Sequence, residues 1–436
     1  MRSISLAQLS EIVGGSLSGE PTQEITGFAT DSREVKPGDL FLAIKGANVD
    51  GHDFDEQVLA RGAAGLLVER EVMGPHVLVP NLVEALAKLA LHFRNIYAGP
   101  VVGITGSAGK TTTKEFIAAA LSPLGFIAKT EGNRNTEFTA PLLWPEVLPE
   151  TKAVVIEMAM RGAGQISHLA SFSKPTHAVV TNIGWSHASE VGSRDGIAHA
   201  KAELLEALPP DGVAILPSDD DYSAFLSEKA NNRQIYTFGW SESADCRIIG
   251  VDSAGWEGCT VNGFFADIPW QSFIPNVGKH LATNVAAAIC TAATLGLAPQ
   301  EAAEVVGDAI LPPMRMEVIE RNGVHILLDA YNASPASMTG AIETFIGLPV
   351  VGRRYAILGQ MNELGEISAV EHRKVGEYVV NSPIDKVVGY GPLATDYRFP
   401  VVNSLEELKA FYSELQPGDA ILIKGSRSLE LERVLS

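Results

Sequence analysis

The run Thr105-Gly106-Ser107-Ala108-Gly109-Lys110-Thr111-Thr112-Thr113 constrains this chain more than any other segment. It follows an apolar stretch, Val101-Val102-Gly103-Ile104, and precedes a helical pattern from Lys114 to Leu121. A strand that breaks into a glycine-rich turn and resumes as a helix is the opening of a parallel, helix-covered sheet. In such a turn, glycines let backbone N–H groups face an anion, and the helix N-terminus adds partial positive charge. Lys110 stands where it meets β/γ-phosphates, and Thr111 where it coordinates Mg²⁺. The segment therefore predicts ATP or GTP binding through Thr105, Gly106, Ser107, Ala108, Gly109, Lys110, Thr111 and Thr112. The usual loop has a glycine five residues before Gly109; here that place is Ile104, and the extra glycine is Gly106.

Strand and helix patterns extend on both sides. The first residues hold short apolar runs parted by turn chemistry, such as Lys36-Pro37-Gly38-Asp39 before Leu40 to Ile44, and Gly62-Ala63-Ala64-Gly65 before Leu66 to Val68. A helix is expected from Val83 to Tyr97. Strands are expected at Ala153 to Glu157, Ala178 to Asn182 and Val213 to Leu216, and an antiparallel extension from Gln234 to Ile274. Pro312-Pro313 reads as a linker. Beyond it, strands at Val324 to Asp329, Tyr355 to Leu358, Lys386 to Gly389 and Ala420 to Lys424 alternate with helices such as Ala369 to Val380. The expected fold is α/β in three domains. Residues 1–82 form a small α/β module, 83–312 a central P-loop domain with a mainly parallel sheet, and 313–436 a doubly wound, Rossmann-like domain.

Composition excludes some functions. A formal net charge of −19 does not suit nucleic acid as a main partner. The N-terminus lacks the apolar core of a signal peptide, and no apolar run approaches the roughly 18 residues of a membrane helix. Three cysteines without CxxC spacing suit a reducing cytoplasm.

Several polar residues fall at strand ends, where parallel sheets bind ligands. Glu157 ends Ala153-Val154-Val155-Ile156 and is either a Mg²⁺ ligand or a solvated strand end. His187 lies in the loop after Asn182, and a lone histidine is more often structural. Lys201 sits in a helix from Gly196 to Leu208, where the default is a solvated side chain. Asp329-Ala330-Tyr331-Asn332-Ala333-Ser334-Pro335 closes one strand of the third domain, and Lys424-Gly425-Ser426-Arg427 another. Lys424 and Arg427 suit a carboxylate or phosphate. These residues describe a three-domain ATP-dependent enzyme with an anionic substrate.

Together the segments resemble the Mur ligase family over nearly the whole chain. Thr105 to Lys114 resembles its ATP loop. Asp31-Ser32-Arg33, Pro37 to Phe41 and Asp50-Gly51-His52-Asp53-Phe54 resemble its UDP-binding domain, and Thr130 to Glu137 its substrate loop. Met361-Asn362-Glu363-Leu364-Gly365 with His372, and Lys424 to Arg427, resemble the branch that adds D-alanyl-D-alanine. The resemblance implies that ATP phosphorylates a UDP-N-acetylmuramoyl-tripeptide, which D-alanyl-D-alanine then attacks. It implies catalytic roles for Lys110, Glu157, His187 and Lys201, and ATP contacts from Asn284, Arg315 and Asp329. Two Mg²⁺ would be held by Thr111, Glu157, His187 and a carbamylated Lys201. Ser32, Arg33, Asn133, Asn135, Thr136, Tyr331, Asn332, Ser334, Lys424 and Arg427 would contact substrates. A monomer whose C-terminal domain closes by a hinge is expected. The chain departs from the family at Leu281, Ser334 and Thr139. Sister ligases for the third stem residue, folylpolyglutamate synthase and a regulatory P-loop ATPase are the alternatives; the UDP-type module and the absence of Asn-Lys-x-Asp weigh against the last two.

Overall fold

A computed structural model describes residues 2–46, 48–185 and 191–436. Its centre is a nine-stranded sheet in the order Ile268–Ile274, Cys259–Phe265, Cys246–Ser253, Gln234–Gly239, Val213–Pro217, His177–Val180, Val101–Thr105, Ala153–Glu157, Ile127–Lys129. Helices cover both faces, so each central strand is buried along its whole length. Alternation shows in the packing. Val101, Val154 and Ile156 enter one core with Leu86 and Leu204, whereas Val102, Ile104 and Val155 enter another with Phe116 and Ile289.

Pairing is parallel from Ile127–Lys129 through to the Phe238–Cys246 register, and antiparallel only in the last three strands. The antiparallel extension thus begins at Cys246, later than Gln234; Gln234–Gly239 returns parallel to Val213–Pro217 after the helix Ser223–Ala230.

A six-stranded sheet follows in the order Glu317–Arg321, Val324–Asp329, Ala420–Lys424, Arg354–Gly359, Lys386–Tyr390, Val401–Val402. All but the first pair are parallel, and register sets Asp329 beside Lys424 at the C-terminal edge. A five-stranded sheet occupies the N-terminal part: Ser16–Ser18, His76–Leu78, Gly65–Val68, Asp39–Leu42, Gly27–Ala29. The fold is α/β in three parts, as the sequence predicts. Among the described residues, no helix is long and apolar enough to cross a membrane. The three cysteines are buried free thiols.

Candidate active site

The turn after Val101–Thr105 needs its glycines. Gly106 has φ +149°, and a Cβ there would lie 1.8 Å from Thr181 Oγ1. Gly109 caps the helix Lys110–Ala120 at φ +78°, where a Cβ would lie 2.5 Å from Asn284 Nδ2. The neighbouring strand end holds the turn. Ser107 N and Ala108 N donate to Asn182 O and Oδ1, each at 3.0 Å, and Thr181 Oγ1 donates to Ala108 O at 2.6 Å. The amides of Ser107 and Ala108 are thus turned inward. An anion would instead meet the first-turn amides of the Lys110–Ala120 helix, which have no intrahelical partner. Asn284 braces this helix, its Nδ2 donating to Gly109 O at 3.1 Å and Thr113 Oγ1 at 2.8 Å.

Two ammonium groups converge on one carbonyl. Lys110 Nζ donates to Gly106 O at 2.8 Å, and Lys201 Nζ to the same oxygen at 2.9 Å. Lys201 lies in the helix Arg194–Glu206 and is buried, at 1% exposure, so the solvated reading is corrected. The cause is tertiary: the glycine-rich turn covers the helix face that Lys201 occupies. Burial, reinforced by the Lys110 charge, holds the Lys201 amine well below the usual lysine range. Burial also lowers Lys110, against the opposing pull of Glu157.

Glu157 is buried at the adjacent strand end. Asn135 Nδ2 donates to its Oε1 at 2.7 Å, while Oε2 is buried with no hydrogen-bond partner. Thr105 Oγ1, at the neighbouring strand end, is likewise buried and unpartnered. Two orphaned oxygens beside a phosphate-type loop fit a hard cation with oxygen ligands. His187 lies outside the described residues.

The C-terminal part closes on the loop. Arg315 Nη2 donates to Thr111 Oγ1 at 3.2 Å, and its guanidinium lies 4.1 Å from the Tyr331 ring centroid. Asp329 Oδ1 accepts from Met316 N at 3.3 Å, holding the backbone that carries Arg315. Lys424 is buried and already paired: Nζ lies 2.5 Å from Asp329 Oδ2 and 3.0 Å from Asn332 O. Its ammonium thus joins the ends of two strands of the C-terminal sheet. Arg427 pairs with Glu432 at 2.7 Å. Ser334 caps the helix Pro335–Gly347 in a reciprocal pair with Ser337, so its hydroxyl carries a structural load. Leu281 is buried in the core.

Among substrate candidates, Asn133 is exposed and Thr136 Oγ1 lies 3.0 Å from Thr139 Oγ1. Arg33 is exposed and bound to Asp31 at 2.6 Å, which lowers the Asp31 carboxyl to about 2. Among the described residues, no hydrogen bond joins Ser32 or Arg33 to the phosphate loop. Thr181 and Asn182 shape the loop, a role that the sequence pattern alone does not reveal. The signal for it is two polar side chains ending an apolar strand. His372 is buried under the Met361–Gly365 loop: Nδ1–H donates to Ser368 O at 2.8 Å, leaving Nε2 to accept from Met361 N at 2.9 Å.

Fold and site define a nucleotide-binding α/β protein of three parts whose phosphate loop meets the C-terminal part through Arg315. The Mur ligase middle domain matches residues 104–292, the Mur ligase glutamate ligase domain 314–427, and the Mur ligase family catalytic domain 24–94. The chain belongs to the Mur ligase family. It is 35% identical to the UDP-N-acetylmuramoyl-tripeptide–D-alanyl-D-alanine ligase of Bacillus subtilis, covering 99% of this chain and 97% of that one. A crystal structure of MurF from Acinetobacter baumannii superposes with a TM-score of 0.91 at 30% identity, covering 100% and 98%. MurF ligase from Thermotoga maritima in complex with ADP gives 0.81 at 31% identity, covering 94% and 96%.

Proposed function

We propose that this chain is the ATP-dependent ligase that joins D-alanyl-D-alanine to a UDP-N-acetylmuramoyl-tripeptide in peptidoglycan precursor synthesis. The observation that carries this reading is local convergence within a chain matched end to end by ligases of that name. Lys110 and Lys201, from separate elements, end on one carbonyl near a carboxylate that keeps a buried oxygen open.

The chemistry follows from charge. A carboxylate resists an amine nucleophile. Its oxygen attacks the γ-phosphorus of ATP, the bond to the β-phosphate oxygen breaks, and ADP leaves. The dipeptide amine then attacks the acyl carbon, a C–N bond forms as the C–O bond to phosphate breaks, and the amine gives up a proton. This chain's work is positioning and neutralisation. Lys110 swings from Gly106 O to the γ-phosphate, Arg315 brings charge from the C-terminal part, and Asn284 keeps the helix N-terminus aimed. Thr111, Glu157, His187 and a carbamylated Lys201 would hold two Mg²⁺, which supply neutralisation of phosphate charge when bound. Carbamylation joins the neutral Lys201 amine to CO₂ and releases a proton; the depressed basicity of Lys201 makes that amine available. Asn133, Asn135 and Thr136 would face the muramoyl peptide, Ser32 and Arg33 the UDP group, and Tyr331 and Asn332 the dipeptide. Residues 1–82, 83–312 and 313–436 are the corresponding units, acting as a monomer in the cytoplasm, where ATP and UDP-linked precursors are made.

Phosphate release should require ATP, the UDP-tripeptide and D-alanyl-D-alanine together, and L-alanyl-L-alanine should not replace the dipeptide. Lys110→Ala should lower kcat by about 10²–10³-fold, the magnitude expected for a group that stabilises transition-state charge. Release that ignores the dipeptide, or an undiminished Lys110→Ala rate, would overturn the proposal.

A further inference from the structure

Lys114 has no part in the chemistry above, yet it is fully buried one turn after Lys110. A lysine so near a phosphate loop would ordinarily be taken as a phosphate ligand. Its contacts lie elsewhere. Nζ donates to Thr130 O at 2.6 Å and Gly132 O at 3.0 Å, and lies 3.1 Å from Glu115 Oε1. Glu115 also pairs with Lys129, on the strand that leads into this loop. A buried ammonium persists only where it is paired and hydrogen-bonded, and here two of its three donors go to carbonyls of one loop.

That loop is fastened to Glu157 as well. Thr130 Oγ1 accepts from Glu157 N at 3.1 Å, and Asn135 Nδ2 reaches Glu157 Oε1 at 2.7 Å. Asn135 O in turn accepts from Ala159 N at 3.1 Å. Between these anchors, residues 131–134 are exposed, and a Cβ on Gly132 would meet nothing within 4 Å. The loop is held at Thr130, Gly132 O and Asn135, while residues 131–134 stay exposed.

We infer that Lys114 is a positioning residue for the acid substrate: it fixes the 130–136 loop over Glu157, so the exposed part of the loop meets the substrate in register with the phosphate loop. The inference rests on the ligase reading. Lys114 couples the helix that carries Lys110 to the segment that meets the acid, and it acts through that segment, not on phosphate.

Steady-state kinetics of Lys114→Met and Lys114→Gln test this beside wild type. Both should raise KM for the UDP-tripeptide at least about tenfold, the loss expected for a hydrogen-bonded buried charge. Lys114→Gln, whose amide NH₂ keeps two N–H donors but no charge, should recover part of it. The dissociation constant for ATP should stay within about twofold for both. Amide hydrogen exchange should quicken in residues 130–136 and stay unchanged in residues 105–113, a readout independent of turnover. If Lys114→Met does not fold, Lys114→Gln carries the same comparison. ATP and tripeptide parameters moving together, or neither moving, overturns the inference. A wild-type enzyme that fails to join the two peptides overturns the ligase reading, and the exchange pattern then decides the loop's tether by itself.

Discussion

Single residues show where sequence reading reaches and where it stops. Lys110 is legible because a strand, a glycine turn and a helix are contiguous in the chain. Lys201 is legible in position but not in burial, since the oxygen that accepts from its ammonium, Gly106 O, lies 95 residues earlier. The partner of Lys424 is hidden for a related reason: register with Asp329, set by pairing of strands distant in sequence, brings the two into an ion pair. His177 carries no signal in the sequence at all. It begins a central strand, is buried at 8% exposure, and its ring Nδ1 lies 2.9 Å from Thr176 Oγ1. Burial lowers it from 6.5 to about 4. The unfolded chain therefore binds an extra proton between those values, so this contribution is intact above pH 6.5 and is lost as pH falls towards 4. The change amounts to at most about 3 kcal/mol. Urea unfolding at pH 7 and pH 4.5 should show a smaller difference for His177→Leu than for wild type; equal differences would remove His177 from the account.

At the scale of elements, the strands and helices that are legible are those whose apolar runs of the right length lie between turn residues. Those that are not have physical reasons. Glu317–Arg321 is a half-exposed edge strand of mixed polarity, and it pairs only with Val324–Asp329 across a tight turn. The helix Ser368–Val380 is legible, but not the closeness of its packing. A Cβ on Gly376 would lie 2.0 Å from the Tyr397 carbonyl oxygen, a backbone atom that cannot step aside. This helix carries His372, whose ring holds Met361 N and hence the Met361–Gly365 loop. Gly376→Ala should therefore cost about 1–3 kcal/mol by overpacking and lower kcat as the loop shifts. Gly347 ends the neighbouring helix, and a methyl group added there would meet nothing within 4 Å, so Gly347→Ala should be neutral or stabilise by up to about 1 kcal/mol. Urea midpoints of the two variants that moved alike would contradict the packing argument.

The whole molecule depends on how the C-terminal part meets the centre: Val277 is buried in the C-terminal core, and side-chain hydrogen bonds cross at two further places. One is at the site, where Arg315 reaches Thr111. The other is the hairpin tip between Cys246–Ser253 and Cys259–Phe265, where Trp256 stacks on His325 at 4.6 Å and donates from Nε1 to Pro349 O at 2.8 Å. Pro312-Pro313 and the irregular backbone up to Met316 connect the parts, and such element-terminal residues absorb hinge rotation. Arg315 reaches Thr111 only while this arrangement holds, so the tip acts as a second fastening away from the phosphate loop. A stacked pair and one hydrogen bond are worth about 1–2 kcal/mol together, enough to shift an open-to-closed ratio by about 5- to 30-fold. Trp256→Ala should therefore enlarge the ligand-free radius of gyration in small-angle scattering. An ATP analogue with the UDP-tripeptide should compact both proteins, because ligands that touch both parts bind the closed form preferentially. Scattering from wild type and Trp256→Ala that coincided without ligands would show that the tip does not hold the parts together. Scattering unmoved by both ligands would remove the hinge itself.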